Sequence, residues 1–239
     1  MSALAVVQAR TSSSRLPGKV LADVGGEPML ALLLARVRRA RRLDRVVVAT
    51  SARPDDDPVA DLAAAVGTEV HRGPLEDVLG RFAGAAAGHA GPVVRLTGDC
   101  PLLDPAVIDA VVERLEGAPG AVYASNVEPR RSFPHGLDVE AIRAETLAAL
   151  DREVDDPELR EHVTLAVRRA PARYPAVSVS CDEDLSALRW TVDLPADLEF
   201  VRRVVERLGP DRHSAGWQAV REAAARAPTL DGLGGYPRA

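Results

Sequence analysis

The sequence predicts an α/β protein, with a mainly parallel sheet and helices on both faces. Short apolar runs alternate with longer segments whose apolar residues recur at helical spacing, and this βαβα order is that of parallel strands joined by crossover helices. Hydrophobic residues make up 46% of the chain and aromatics 3%, so the core has to be built mainly from Ala, Val and Leu. At 239 residues that is enough apolar mass for one large domain, and residues 1–239 are read as a single unit.

Residues 4–7, Leu-Ala-Val-Val, form a short buried strand that runs into the polar stretch Gln8-Ala9-Arg10-Thr11-Ser12-Ser13-Ser14-Arg15-Leu16-Pro17-Gly18-Lys19. Pro28 starts a helix whose apolar stripe is Leu30, Leu33, Leu34 and Val37. Residues 45–49 are a second buried strand, followed by a polar, proline-broken connection over 50–57. Asp57-Pro58, Asp104-Pro105 and Asp156-Pro157 each read as an N-cap followed by a first-turn proline. A third strand is expected at 68–72 and a helix at 75–89, where Gly80, Gly84 and Gly88 weaken the helical propensity. Pro92–Thr97 is a fourth strand ending in Gly98-Asp99-Cys100-Pro101, and Val107, Ala110, Val111 and Leu115 give the next helix its buried face.

The second half is less regular. Residues 121–126 read as a strand, followed by a loop over 127–135 that carries arginines and prolines. Residues 136–140 alternate with period two, so Leu137 and Val139 face one way while Asp138 and Glu140 share the other face about 7 Å apart. A helix from Pro157 carries Leu159, Val163, Ala166 and Ala170 on its apolar stripe with His162 at the flank, and strands are expected at 177–180 and 188–192. An amphipathic helix follows with Leu198, Val201, Val204, Val205 and Leu208, and the tail from Gly209 carries a short helical segment near Trp217–Ala225 and caps the fold.

Composition narrows the function. A net charge of -5 without a long basic run argues against nucleic acid as the main partner. Cys100 and Cys181 make no Cys-x-x-Cys pair, so neither a zinc site nor a disulfide framework is indicated, and a reducing cytoplasm fits. Arg10 interrupts the N-terminus before any signal-peptide stretch, and no apolar run reaches membrane-spanning length, so a soluble protein is expected. The first turn lacks both the Gly-x-Gly-x-x-Gly fingerprint and the Walker lysine motif, which disfavours a dehydrogenase or a P-loop enzyme.

The stretch 8–19 leaves the C-terminal end of the first strand, the edge at which open α/β sheets bind ligands. It carries Arg10, Arg15, Lys19 and three serines, a set suited to a polyphosphate. Lys19 is the only lysine among 30 basic residues. Arginine meets every other demand for positive charge, which points to a role for a compact ammonium that a planar guanidinium does not fill. Asp99 and Asp193 both follow apolar runs and are the candidate carboxylates for Mg²⁺, which takes one or two protein carboxylates and completes its shell from phosphates and water.

The motifs Gln8-Ala9-Arg10, Ser14-Arg15-Leu16-Pro17-Gly18-Lys19, Val47-Val48-Ala49-Thr50-Ser51, Arg95-Leu96-Thr97-Gly98-Asp99-Cys100-Pro101, His135-Gly136-Leu137-Asp138-Val139-Glu140, Arg160-Glu161-His162-Val163-Thr164 and Leu188-Arg189-Trp190-Thr191-Val192-Asp193 resemble, in order, the SpsF-type spore-coat polysaccharide cytidylyltransferases over roughly residues 4–208. That family is related to the synthetases of CMP-sialate and CMP-Kdo. The resemblance implies a Rossmann-like nucleotide-diphospho-sugar transferase fold, CTP as donor, Mg²⁺ as cofactor, and a sugar acid or sugar phosphate as acceptor. It assigns Ala9, Arg10 and Lys19 to the nucleotide and its phosphates, and Asp99 and Asp193 to the metal; Arg15, Thr50 and Thr97, within the motifs above, are read as further nucleotide contacts, and Lys19 and Arg10 as catalytic. Asn126, Asp138, Glu140 and His162 fall in the segment, about 121–176, that family members use for the sugar or for pairing two subunits, so a homodimer is expected. One departure is Thr11-Ser12 where the family pattern has Met-Gly, which removes a freely adopted positive-φ position from the loop.

Two rival activities fit the same residue types. A metal-dependent glycosyltransferase would use the strand-end aspartates to hold the metal of a nucleotide-sugar donor, without needing the 10–19 loop for a triphosphate. A non-catalytic nucleotide-binding module would take CTP and release no pyrophosphate.

Overall fold

A computed structural model of the chain describes residues 2–227. Its strands are β1 (Ala3–Gln8), β2 (Leu43–Ser51), β3 (Glu69–Gly73), β4 (Pro92–Thr97), β5 (Tyr123–Ser125), β6 (Glu140–Arg143) and β7 (Ala176–Ser178), and they form one sheet in the order β3-β2-β1-β4-β6-β5-β7. Among the described strands, β6 alone runs against the others: β3, β2, β1 and β4 are mutually parallel, β6 is antiparallel to both β4 and β5, and β7 is parallel to β5. The expected mainly parallel sheet is therefore present.

The helices are α1 (Met29–Val37), α2 (Asp57–Ala65), α3 (Val78–Ala85), α4 (Pro105–Glu116), α5 (Ala144–Glu153), α6 (Pro157–Glu161), α7 (Leu165–Arg169), α8 (Pro195–Leu208) and α9 (Trp217–Ala225). They cover both faces. In β1, Ala3, Ala5 and Val7 pack into a core shared with α1, α4 and α8, while Leu4 and Val6 point to a second core shared with α3 and α5. This period-two division of a wholly buried strand is why residues 4–7 read as a continuous apolar run.

Several local expectations change in the structure. Asp104 and Asp156 cap α4 and α6 by accepting backbone N–H bonds, but Asp57 is already the first residue of α2 and Asp56 stands before it. The helix expected at 75–89 shrinks to α3, because Asp77 accepts the Gly80 N–H and the Arg81 guanidinium binds the carbonyls of Pro74 and Leu75. The helix from Pro157 breaks into α6 and α7 at Val163, whose φ is 50°, a conformation that a β-branched residue adopts under strain. Residues 188–192 form no strand; they attach through a single bridge between His135 and Arg189 and through Val192 N–H to the Asp99 carbonyl, 2.9 Å. The α9 helix lies where the sequence puts it, and the rest of the tail beyond residue 227 lies outside the described residues.

Candidate active site

The C-terminal ends of β1 and β4 open into a cavity of about 490 Å³. Gln8 and Thr97, the last residues of these strands, form its floor with Arg95. One wall is the 9–19 loop, the other is made by Val78 and Arg81 of α3 and by Glu161 and His162 at the end of α6. The two strand ends sit close: Gly98 N–H donates to the Gln8 carbonyl at 2.8 Å, and a Cβ on Gly98 would meet the Ala9 Cβ at 3.0 Å. Glycine is required there for that approach.

Lys19 is delivered by the turn that Gly18 makes at φ 70°, after which residues 19–21 form a short 3-10 turn. Its ammonium is buried and donates to Asp99 Oδ2 at 2.7 Å, to the Val192 carbonyl at 2.7 Å and to Asp193 Oδ1 at 3.0 Å. All three of its protons are thus placed. Asp193 is further gripped by Arg189 and, at 2.7 Å, by Arg15, whose side chain is 60% exposed. Burial pushes the Asp193 carboxyl up, but the hydrogen bonds from Arg189 and Lys19 and the charges of Lys19 and Arg15 outweigh it, leaving the group below the usual aspartate value. Asp197 fixes this corner by accepting the N–H groups of Asp193 and Leu194, each at 2.9 Å.

The arginines across the cavity have a different balance. Arg10 and Arg81 both line the cavity and neither makes an ion pair among the described residues. Burial, and then the charge of Arg10, lowers the Arg81 pKa. Two guanidiniums that repel one another in a half-enclosed cavity are relieved by an anionic ligand. Arg95 is balanced by Glu140, directly opposite it on β6.

Of the residues singled out in the sequence, Ala9, Arg10, Arg15, Lys19, Thr97, Asp99, His162 and Asp193 meet around this cavity. Thr50 does not: it is buried in β2 with its hydroxyl unpartnered. Asn126 holds the backbone of 137–139, through Leu137 O at 2.7 Å and Val139 N at 2.8 Å. Asp138 takes both Nη groups of Arg131. Glu140 is buried, so it does not share an exposed face with Asp138; it accepts Tyr123 OH at 2.5 Å, Thr164 Oγ1 at 2.6 Å and Arg95. Sequence reasoning missed Arg81 and Arg95 as cavity residues. The available signal was Arg95 inside an otherwise apolar strand, where a charged side chain requires a purpose.

Among the described residues no group of three or more His, Cys, Asp and Glu could hold a metal by itself. The donor set at the rim, Asp99 and Asp193, is two hard carboxylates from different segments, brought to one ammonium. It fits a Mg²⁺ that draws its other ligands from phosphates and water. No described helix is long and apolar enough to cross a membrane.

A buried lysine between the Asp99 and Asp193 carboxylates, with arginines around the same cavity at the C-terminal edge of this sheet, defines a Rossmann-like nucleotidyltransferase. A model of the family described as Cytidylyltransferase matches residues 4–208, and the chain belongs to that family. It is similar to the spore coat polysaccharide biosynthesis protein SpsF of Bacillus subtilis (strain 168), 32% identical over 215 residues, covering 86% of this chain and 87% of that protein. Among solved structures it is similar to a cytidylyltransferase from Leptospira borgpetersenii serovar Hardjo-bovis (strain JB197), with a TM-score of 0.88 at 28% identity over 95% of this chain and 94% of the other. The fold is also that of a CMP:2-keto-3-deoxy-manno-octonic acid synthetase solved with CTP, with a TM-score of 0.67 at 22% identity over 86% of this chain and 99% of the other.

Proposed function

We propose that the protein transfers CMP from CTP to a sugar acid or sugar phosphate and releases pyrophosphate, in the making of a surface polysaccharide or glycoconjugate. The observation that carries this reading is the buried Lys19 ammonium, held by Asp99 and Asp193 on the rim of a cavity also lined by Arg10, Arg81 and Arg95. Such a rim supplies the positive charge that a bound triphosphate needs.

In the reaction an acceptor oxygen attacks the α-phosphorus of CTP. The bond from that phosphorus to the bridging oxygen breaks, and pyrophosphate leaves with the electron pair. A hydroxyl attacker gives its proton to water, and a phosphate oxygen has none to give. Arg10 holds the phosphates as negative charge shifts toward the leaving group, and Lys19 joins it by exchanging one of its carboxylate partners for a phosphate oxygen. Arg15, exposed and bound to one oxygen of Asp193, is the arm free to move to a phosphate. Asp99 and Asp193 are the residues proposed to hold Mg²⁺, which when bound neutralises phosphate charge and polarises the α-phosphate. For the acceptor, His162 is assigned to direct contact, and Asn126, Asp138 and Glu140 to the framework behind it. The reading includes a cytoplasmic homodimer paired through residues 121–176.

The test is pyrophosphate release by the purified protein across four nucleoside triphosphates and a panel of sugar acids and sugar phosphates with Mg²⁺. Release with CTP and one acceptor class is expected. CTP binding without release under any pairing would leave a nucleotide-binding module, and sugar transfer from a nucleotide-sugar would make the protein a glycosyltransferase.

A further inference from the structure

The 10–19 loop has no glycine before Gly18, and neither Thr11 nor Ser12 takes a positive φ. What shapes the loop instead is a buried carboxylate from another segment. Asp56, 1% exposed, lies in the turn before α2. Its Oδ1 accepts both the Thr11 N–H at 2.6 Å and the Thr11 hydroxyl at 2.8 Å, and its Oδ2 accepts the Ser51 hydroxyl at the end of β2. On the other side, the Thr11 carbonyl accepts the Gly18 N–H at 2.9 Å. Thr11 is therefore clamped at both its amide and its carbonyl. Arg10 precedes this clamp and Lys19 follows it, so one residue's position fixes the spacing of the two cations at the loop's ends.

We infer that Asp56 and Thr11 are positioning residues for the triphosphate: the buried carboxylate, braced on β2 by Ser51, holds the loop closed so that Arg10 and Lys19 meet the phosphates at a set distance. This rests on the reading of the cavity as a CTP site. The loop is shaped here by a side-chain partner and not by backbone freedom. Charge-assisted hydrogen bonds to a buried carboxylate are the stronger kind, so this brace resists exchange with solvent better than a neutral bond would.

The experiment compares wild-type protein with Thr11→Val, which removes the hydroxyl at constant shape, Thr11→Ser, which keeps it, and Asp56→Asn. Affinities for CTP and for CMP are measured by calorimetry with Mg²⁺, and exchange of the loop amides by hydrogen–deuterium exchange without nucleotide. Thr11→Val and Asp56→Asn are expected to weaken CTP about tenfold or more, the size of one lost charge-assisted bond, while CMP affinity changes less than threefold. Thr11→Ser should restore CTP binding, and the loop amides should exchange faster in the two impaired variants. A merely structural role would weaken both nucleotides alike, and that result, or wild-type CTP affinity and loop exchange in Thr11→Val, would overturn the inference. If wild-type protein binds no CTP, the functional reading falls and the role toward phosphate falls with it, whereas bound CTP with an unaffected Thr11→Val removes the brace alone.

Discussion

Arg95 and Glu140 face each other across the β4–β6 pair, and the guanidinium donates to Glu140 Oε2 from the floor of the cavity. The other carboxylate oxygen is filled from behind by Tyr123 OH and Thr164 Oγ1. Thr164 follows the strained Val163, itself next to His162 on the cavity rim. A buried carboxylate on β6, the antiparallel strand among those described, is thus tied to the break between α6 and α7 beside His162.

Glu140→Gln tests whether this residue is a framework group. The amide keeps an oxygen for Tyr123 and Thr164 but turns an NH₂ toward Arg95, leaving a half-buried cation opposite a donor. Stability should fall by roughly 3 kcal/mol, the usual size for removing one partner of a buried pair, and Tm by about 6–12 °C for a chain of this length. Urea and thermal unfolding measure it. An unchanged midpoint with a raised acceptor KM would instead make Glu140 a ligand for the sugar.

Acid should destabilise the fold, with a defined sign. Burial pushes Asp56, Asp77, Glu140 and Asp193 up, but bonds from Ser51, Arg160, Arg95 and Arg189 respectively, with their other donors, hold all four below their ordinary values of 3.8 for Asp and 4.5 for Glu. A folded pKa below the unfolded one adds stability that is fully present above the unfolded value and is lost as pH falls through the folded one. The urea midpoint should hold from neutral pH to about 5 and then decline steadily. A midpoint constant down to about pH 3 would contradict these shifts.

The centre of the parallel half was legible because β1 and β4 are apolar runs, buried along most of their length and bounded by turn chemistry. Residues 4–7 and Pro92–Thr97 announce themselves as apolar runs, and the polar residues that follow them are the site. Asp99 could be picked out because it follows such a run, Asp193 because it follows residues 188–192, which read as a strand, and Lys19 because it is the only lysine in the chain. The second half resisted. Glu140 looks exposed by alternation, yet a cross-strand arginine 45 positions away pays for its burial. The break at Val163 and the missing strand at 188–192 also depend on tertiary partners that a local pattern does not carry. Arg81 was hidden because a buried arginine held by carbonyls has no sequence signature.

Asp99→Asn and Asp193→Asn should each raise the Mg²⁺ concentration needed for half-maximal pyrophosphate release by tenfold or more, on the order of one lost charged ligand. The two variants should differ in a second respect. Asp193 balances Lys19, Arg15 and Arg189, so its loss leaves three cations together and should also lower Tm, while Asp99 is the more exposed and balances Lys19 alone. Metal titration and calorimetry separate the effects. Wild-type Mg²⁺ dependence in either variant removes that residue as a ligand.

Lys19→Arg and Lys19→Ala should both impair turnover, by about 10² or more, as for loss of a fixed charge at the leaving group. The ammonium fits a buried space between Asp99, Asp193 and the Val192 carbonyl, with one proton for each. A planar guanidinium presents its donors in a fork and cannot meet three acceptors arranged around a point. The arginine variant should therefore keep CTP affinity better than rate, and the alanine variant lose both. Steady-state kinetics with CTP binding measured alongside decides this, and wild-type kcat in Lys19→Arg would show that charge alone suffices.

Association is the last expectation. Residues 121–176 contain the arginine-bearing loop with Arg130 exposed, the short helices α6 and α7, and the approach to β7, which lies at the edge of the sheet and pairs with β5 alone among the described strands. An unpaired strand edge beside a surface loop is a liability that a second copy can cover. Two-fold pairing is the commonest closed assembly, and a stable interface buries on the order of 1,200 Å² or more in total. Light scattering at micromolar protein should give twice the 25.4 kDa mass of one chain. Charge reversal at Arg130, outside the cavity, should shift the mass toward one chain if the loop is in the interface. A mass of one chain for the wild type, unchanged by CTP and Mg²⁺, would mean that this segment folds as a lid on its own subunit.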